Sequence, residues 1–221
     1  MENNNFQKHP SQLLIDLYNQ NNFQGANPTD AKILFVGKDP NWSYDIEASP
    51  IIDLVKEYLV DGVKFWKKYN IHHPFLHSKY NEEGKKYHKA IAKLNLESNF
   101  ADKISFVEMI GFPTTGMSST NPKQFNEYLI SPNNKSHLVK LDKLFIDSDK
   151  LIFLFWGLID YLKFINKKTG LFKKLANIDK SKMIRTDLNK LGNIYIHKHF
   201  SMGISPQTLL KISNEVKQNL K

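Results

Sequence analysis

The chain has 221 residues, 41% of them hydrophobic, and carries 31 Lys and Arg against 22 Asp and Glu, a formal net charge of +9. It contains no cysteine, which excludes disulfides, Cys-ligated zinc, iron–sulfur clusters and thiol catalysis. The length and apolar content predict one domain over residues 1–221, with residues 1–25 as a partly irregular lead-in. The positive charge favours a polyanionic partner such as nucleic acid.

The sequence predicts neither a membrane segment nor a secretory signal. Residues 1–10 are polar, and the longest apolar run, Leu151 to Ile159, is too short to span a bilayer. We therefore expect a cytoplasmic protein without a membrane partner. The oligomeric state is left open, with a monomer as the default expectation.

Four short apolar runs predict strands. In chain order they are Lys32 to Val36, Ile104 to Ile110, Lys150 to Trp156 and Asn193 to Ile196. The third run does not alternate between apolar and polar residues, as expected for a parallel strand covered on both faces. Helical patterns separate the runs. This alternation predicts an α/β three-layer sandwich with a small, mainly parallel, four-stranded central sheet.

Three serines are expected to begin helices. Ser49 and Ser205 each precede a proline, which suits the first helical position. Ser136 is expected to cap a third helix. The residues that this helix turns inward are predicted to be Leu138, Leu141, Leu144 and Phe145.

Ligands of such folds bind at the carboxyl ends of the strands, so the loops that follow the strands are expected to carry the chemistry. These loops are Gly37 to Ser43, Gly111 to Met117, the segment from Gly157 onward, and His197 to Ser205.

The first loop contains Gly-x-Asp-Pro at residues 37–40, directly after an apolar strand. Glycine lets a backbone approach a ligand closely, and proline stiffens the turn that directs the acidic side chain. The third strand ends in Trp-Gly at residues 156–157, and the last strand leads into His-x-Ser at residues 199–201. In this order, over about residues 30–220, the three motifs resemble those of the uracil-DNA glycosylase superfamily.

The resemblance implies a monofunctional DNA glycosylase that hydrolyses the N-glycosidic bond of a flipped base and needs no cofactor or metal. It assigns Asp39 to stabilising the sugar cation and activating water, and His199 to donating a hydrogen bond to the departing base. His197, two residues earlier, is the competing histidine. Among the neighbours of Asp39, the substrate-binding candidates are Gly37, Lys38 and Pro40.

The resemblance also implies contacts to DNA from the last loop. Ser201 would bind a phosphate, and Lys198 would lie beside the DNA. Met202 or Ile204 would fill the gap that an extruded nucleotide leaves in the duplex.

An aromatic side chain is expected to stack on the flipped base. Phe75, in the segment 65–76 that is rich in aromatics and histidines, is the candidate, with Trp42 and Tyr44 as alternatives. No metal site is expected in this segment, because Pro74 interrupts the helix that paired histidine ligands would need.

One position departs from the family pattern. Uracil-cleaving relatives place an asparagine at the end of the second strand, where Glu108 is the nearest polar residue here. An ionised glutamate only accepts hydrogen bonds, so it would favour a base that offers donors, such as an amine or a hydroxyl. The expected substrate is therefore a uracil-like or modified pyrimidine, hydroxymethylated or sugar-decorated, removed in DNA repair or in defence against phage DNA. Alternatively, Glu108 is a buried structural acid bonded to neighbouring backbone.

Two other functions fit the same sequence. The chain could be a catalytically silent nucleic-acid-binding module on the same fold, or an α/β enzyme that processes a free nucleotide or nucleoside. The absence of a Gly-rich phosphate loop argues against a nucleoside triphosphatase.

Overall fold

A computed structural model describes residues 5–81 and 84–220 of the chain. The strands are β1 (Gln7–Lys8), β2 (Gln24–Gly25), β3 (Ile33–Gly37), β4 (Ile104–Glu108), β5 (Thr114–Thr115), β6 (Leu151–Phe155), β7 (Asn189–Leu191) and β8 (Ile194–His197). The α-helices are α1 (Gln12–Gln20), α2 (Ile52–Val60), α3 (Gly62–Tyr69), α4 (Lys85–Ala92), α5 (Pro122–Leu129), α6 (Pro132–Ile146), α7 (Leu158–Thr169), α8 (Lys173–Ala176) and α9 (Pro206–Leu220). Short 3-10 helices span Ile46–Ala48, Pro74–Leu76, Ser98–Lys103, Lys180–Lys182 and Phe200–Met202.

The central sheet has the strand order β2-β4-β3-β6-β8-β7. Its four middle strands are parallel, and they are the four strands that the apolar runs predict. The predicted count of four was wrong for the whole sheet, because β2 and β7 pair antiparallel at its two edges. These edge strands are two and three residues long, too short to produce a hydrophobic pattern in the sequence.

Helices cover both faces of the sheet. On one face α5, α6 and α7 pack against residues such as Leu34 and Leu154, and on the other α3, α4 and α9 pack against Ile33 and Phe35. Successive strand residues point to opposite faces, so the inner residues of β6 are all buried, as the non-alternating run predicts. The α/β class is confirmed, and these layers are compatible with a three-layer sandwich.

A third apolar cluster lies beside the sheet and involves the segment expected to be partly irregular. Within residues 5–25, helix α1 buries Leu14, Leu17 and Tyr18 against α2 and the 3-10 helix Pro74–Leu76. Ser11 caps α1, because its hydroxyl accepts a hydrogen bond from the amide of Leu14 at 3.1 Å. Residues 1–4 of the expected lead-in lie outside the described residues.

The structure confirms one predicted helix start and corrects two. The Ser205 hydroxyl accepts from the Thr208 amide at 3.1 Å, as a cap does. Ser49 instead ends the 3-10 helix Ile46–Ala48; α2 begins later, and the Ser49 hydroxyl is buried without a hydrogen-bond partner among the described residues. Ser136 lies inside α6, which begins four residues earlier at Pro132, whose fixed φ suits a first turn. Within the part of the chain described, no helix has the length and apolarity needed to cross a membrane.

Asn134 fixes the chain where it leaves β4. Its side chain is fully buried, donates to the carbonyls of Met109 and Leu129 at 2.9 and 3.0 Å, and accepts from the Gly111 amide at 2.9 Å. Three backbone groups, one at the end of α5 and two in the loop that follows β4, are thereby satisfied. This residue holds the start of the loop at residues 109–117.

We expect Asn134→Leu to destabilise the fold by about 3 kcal/mol, because it removes hydrogen bonds to three largely buried backbone groups while keeping the side-chain volume. Urea unfolding followed by circular dichroism measures this change. Asn133→Ala, at an exposed position of the same helix, is the matched control and should change stability by less than about 0.5 kcal/mol. Equal effects of the two substitutions would contradict the role of Asn134.

Candidate active site

The four parallel strands end at one edge of the sheet and bring their loops together there. Gly37 lies opposite Glu108 in the β3–β4 pair, and Phe155 lies opposite His197 in the β6–β8 pair. The predicted loops therefore converge at the carboxyl edge. Because neighbouring strands lie about 4.8 Å apart, β3 and β8, on either side of β6, are separated by about 10 Å at this edge.

Asp39 lies two residues beyond the end of β3 and is partly exposed. Its Oδ2 accepts hydrogen bonds from the Thr114 hydroxyl at 3.1 Å and from the Asn41 amide at 3.4 Å. The amide of Thr114 donates to the Pro40 carbonyl at 3.0 Å, and the Trp42 amide donates to the Thr114 carbonyl at 2.9 Å. These backbone bonds join the Asp39 loop to β5 and give the carboxylate a defined position.

The pKa of Asp39 is raised from its ordinary value. Removal from water has the largest effect, and it outweighs the charge of Lys38 and the hydrogen bonds from Thr114, Asn41 and Ser118, which lower the pKa. A carboxylate with a raised pKa is a stronger base. The hydrogen bonds and the charge together favour the ionised form that can orient water.

The Glu108 side chain lies against Gly37. A Cβ at position 37 would overlap with the carboxyl group of Glu108. The first glycine of the motif therefore admits an acidic side chain from the neighbouring strand. The sequence analysis expects a ligand to approach the backbone at Gly37, and in the structure a side chain of the protein itself lies there.

The Glu108 carboxyl group is partly exposed, and no described residue forms a hydrogen bond with it. Burial raises its pKa well above the ordinary value, and the negative charge of Asp39 raises it further. This favours the neutral carboxylic acid, whereas the sequence argument assumed an ionised group. The backbone of Glu108 is fixed separately, because its carbonyl accepts from His137 Nε2 at 2.7 Å.

His199 is held in one tautomer by its own loop. Its Nδ1 accepts from the Ser201 amide at 3.2 Å and lies 2.7 Å from the Ser201 hydroxyl. An amide N–H can only donate, so Nδ1 is unprotonated and the neutral ring carries its proton on Nε2. Burial, followed by the charge of Lys38, lowers the pKa of His199 to about 4. Near pH 7, His199 is therefore a neutral donor through Nε2.

The two candidate histidines differ in exposure. His197 is only 2% exposed, and its Nδ1 donates to the Lys198 carbonyl at 2.7 Å. Its ring packs on Phe200 with 4.6 Å between ring centroids, and burial lowers its pKa to about 4. His199 is partly exposed. Of the two rings, that of His199 is the one a ligand can reach.

Two aromatic residues that the sequence did not indicate complete the site. The His199 ring lies 4.6 Å from Phe155, nearly perpendicular, and 5.3 Å from Tyr87. Burial, and then the charge of Glu108, raise the pKa of Tyr87. Asp39, Glu108, Tyr87, His199 and Phe155 form a group of partly exposed side chains, in which ring contacts join the last three. Phe155 could have been found as the residue before the end of a predicted strand. Tyr87 is on α4 and joins the site only through tertiary packing.

The aromatic candidates from the sequence do not belong to this group of side chains. Phe75 is 5% exposed and stacks on Tyr80 with 4.3 Å between ring centroids. Trp42 is buried, and its Nε1 donates to the Tyr18 hydroxyl at 3.0 Å. Tyr44 is exposed. The packing leaves Phe75 and Trp42 little surface to offer a flipped base.

The residues expected to contact DNA are divided between surface and core. Met202 is 57% exposed, whereas Ile204 is 8% exposed and packs in the core below the loop, which leaves it unable to enter a duplex. Lys198 is partly exposed, and its Nζ donates to the Gly203 carbonyl at 3.2 Å. Lys38 Nζ lies over the rings of Phe125 and Tyr161, which holds this charge beside the site rather than in it.

Three histidines pack together behind the site. The rings of His73 and His88 stack with 3.5 Å between centroids, and His88 Nδ1 lies 3.4 Å from His72 Nε2. Burial lowers the pKa of all three, that of His72 to about 3. Over the described residues, no group of three or more His, Cys, Asp or Glu is arranged to hold a metal ion. The cluster is therefore a set of neutral aromatic rings that support α4.

Two surface clefts lie away from the carboxyl edge. One, of about 200 Å³, is lined by residues of β2, α2 and α3, and the other, of about 320 Å³, by residues of β7 and α9. In the second, Lys190 pairs with Glu215 at 3.3 Å, and Glu215 also accepts from the Tyr195 hydroxyl. Its polar groups thus have partners within the protein, unlike the carboxyl of Glu108.

We expect the free energy of unfolding to fall as the pH drops below about 6.5. The reason is that these histidines bind protons in the unfolded chain but stay neutral where they are buried in the folded protein. Each such histidine contributes up to about 1.4 kcal/mol per pH unit, until the pH reaches its folded pKa. Urea unfolding at several pH values between about 7.5 and 5 measures this slope. His72→Gln should reduce the slope, and an unchanged slope would contradict the assignment.

Glu108→Gln should stabilise the protein at alkaline pH. A folded pKa above the unfolded one means that ionisation opposes folding, so this penalty is absent at low pH and grows as the pH rises above about 4.5. We expect a gain of at least about 1 kcal/mol at pH 8 that disappears towards pH 5, measured by urea unfolding. Glu127→Gln, at an exposed position, should show no such pH dependence. A Glu108→Gln variant that is less stable at pH 8 would contradict the raised pKa.

No family model, curated protein or solved structure matches the chain. The function is therefore inferred from the residues of the candidate site.

Proposed function

We propose that this protein is a monofunctional DNA glycosylase with a uracil-DNA glycosylase-like fold, which hydrolyses the N-glycosidic bond of a flipped pyrimidine. The observation that carries the proposal is the convergence of three groups at one edge of the sheet. These are the Asp39 carboxylate, the Nε2 donor of a neutral His199 and the free carboxyl group of Glu108. Each suits one requirement of the reaction.

In this proposal, Asp39 acts at the sugar. Cleavage of an N-glycosidic bond develops positive charge on the sugar, and a nearby carboxylate stabilises it and orients the attacking water. Hydrogen bonds from Thr114 and Asn41 hold Oδ2 in place. The raised pKa increases the basicity of the group towards water.

His199 donates a hydrogen bond to the leaving base. Negative charge develops on the base oxygen as the bond breaks, and a fixed N–H donor stabilises it. The loop fixes Nδ1 as an acceptor, so Nε2 is the donor. Because the ring is neutral near pH 7, it donates a hydrogen bond without placing a full charge beside Lys38.

Glu108 sets the choice of base. As a neutral acid it offers one donor and one acceptor side by side, which is the pattern of an amide side chain. This matches a base edge with a carbonyl next to an N–H, as in uracil and 5-substituted uracils. The acceptor-only argument, which favoured bases with an exocyclic amine, applies only to ionised Glu108. We therefore place uracil and hydroxymethyluracil ahead of cytosine derivatives as substrates.

Phe155 and Tyr87 provide aromatic surface for the base, and the net charge of +9 favours the phosphate backbone. DNA affinity should therefore fall steeply with salt, since each neutralised phosphate releases counterions. These features support a nucleic-acid substrate over a free nucleoside.

The test is base release from oligonucleotides that contain uracil, hydroxymethyluracil, hydroxymethylcytosine or glucosylated cytosine, in single and double strands. Asp39→Asn and His199→Ala should each slow release by at least about 100-fold, because the first removes a charge and the second removes a donor used in the transition state. Asp45→Asn, an exposed position in the same loop, is the matched control and should retain full activity. Salt-sensitive DNA binding without base release would instead indicate a binding module.

A further inference from the structure

Two methionines stand exposed at the rim of the candidate site. Met117 follows β5, and Met202 ends the 3-10 helix Phe200–Met202. Each of the two residues is 57% exposed. Single exposed apolar side chains are common on protein surfaces. These two differ because each follows a residue in the hydrogen-bond network of a proposed catalytic side chain. The Gly116 carbonyl accepts from the Asn41 side chain, which also donates to Asp39. The Ser201 amide donates to His199 Nδ1.

The backbone of Met117 is held firmly. Its carbonyl accepts from the amide and hydroxyl of Thr120 at 2.9 and 2.7 Å. The preceding Gly116 has a φ of +76°, and its carbonyl accepts a hydrogen bond from the Asn41 side chain. A further bridge pairs Met117 with Asn5. The loop thus presents its apolar side chain from a fixed position.

Met202 is presented in a similar way from the other side. Its amide donates to the His199 carbonyl at 3.0 Å, and the next residue, Gly203, has a φ of +70°. Lys198 Nζ donates to the Gly203 carbonyl at 3.2 Å. In both loops, a glycine in the left-handed region adjoins the methionine and lets the chain turn sharply.

The two methionines lie on opposite sides of the site. Met117 belongs to the Asp39 side at β3 and β4, and Met202 to the His199 side at β8, with β6 between them. Each methionine therefore stands on the side of a different proposed catalytic residue.

We infer that Met117 is a second wedge, which enters the base stack on the Asp39 side while Met202 enters on the His199 side. This inference rests on the proposed glycosylase function. Flexible thioether side chains suit the irregular gap left in an unstacked duplex. Two wedges at the two flanks of the extruded nucleotide share the unstacking penalty of a few kcal/mol. Met117 is thus a positioning residue that acts on duplex DNA.

The test places 2-aminopurine on either side of the target base in two separate duplexes, with Asp39→Asn as the background so that the substrate stays intact. Fluorescence should rise at both flanks on binding, because unstacking relieves quenching. Met117→Ala should lose at least half of the rise at one flank, and Met202→Ala at the other. In the protein with Asp39, Met117→Ala should slow base release from duplexes by at least about tenfold and change release from single strands by less than about twofold.

Two variants control for general effects. Met117→Leu keeps an apolar side chain and should restore duplex activity, and Leu210→Ala removes an equally exposed side chain on α9 and should change nothing. Unchanged fluorescence at both flanks and unchanged duplex release in Met117→Ala would overturn the wedge while leaving the glycosylase intact. If the unaltered protein releases no base from any substrate, the glycosylase proposal fails, and the wedge fails with it.

Discussion

The contact between the Glu108 carboxyl group and the backbone of Gly37 is the constraint on which the rest of the site depends. The parallel register puts Gly37 opposite Glu108, and a Cβ at position 37 would overlap with the Glu108 carboxyl group unless that side chain moved. The charge of Asp39, on the loop that follows β3, adds to the effect of burial and raises the pKa of Glu108.

The electrostatics of the edge follow from shared burial. Removal from water is the largest cause of the pKa shifts of Asp39, Glu108 and His199, and in every case it favours the neutral form. The groups differ in what opposes this effect. Asp39 receives hydrogen bonds and lies near Lys38, which favour its charge, whereas nothing of that kind acts on Glu108. Asp39 is thereby the more readily ionised of the two acids, and Glu108 the more readily protonated.

Packing behind the edge explains why the site keeps this geometry. Asn134 and His137, both on α6, hold the backbone around the end of β4. On the opposite face, the stacked rings of His73 and His88 support α4, which carries Tyr87. Such positions are set by side chains distant in sequence, and a substitution there changes the site without touching a ligand.

Prediction from the sequence succeeded where the signal is local. Buried parallel strands produce continuous apolar runs, so the four middle strands and their terminal loops were predicted with nearly correct bounds. The short edge strands have no such pattern. Ser49 and Ser136 resembled helix caps, because a serine before a helical pattern does not specify the residue at which the helix begins. Ile204, placed in the DNA-facing loop by motif alone, is directed into the core.

By itself, the sequence determined the class of the fold, the order of the strands in the chain and the loops that carry Asp39 and His199. Only the tertiary structure decided which groups face one another: Glu108 against Gly37, Tyr87 beside His199, and Phe75 in the core instead of the site. It also decided that Glu108 favours its neutral form. The reason is physical, because the pKa and the exposure of a side chain depend on burial and on charges supplied by residues distant in the chain.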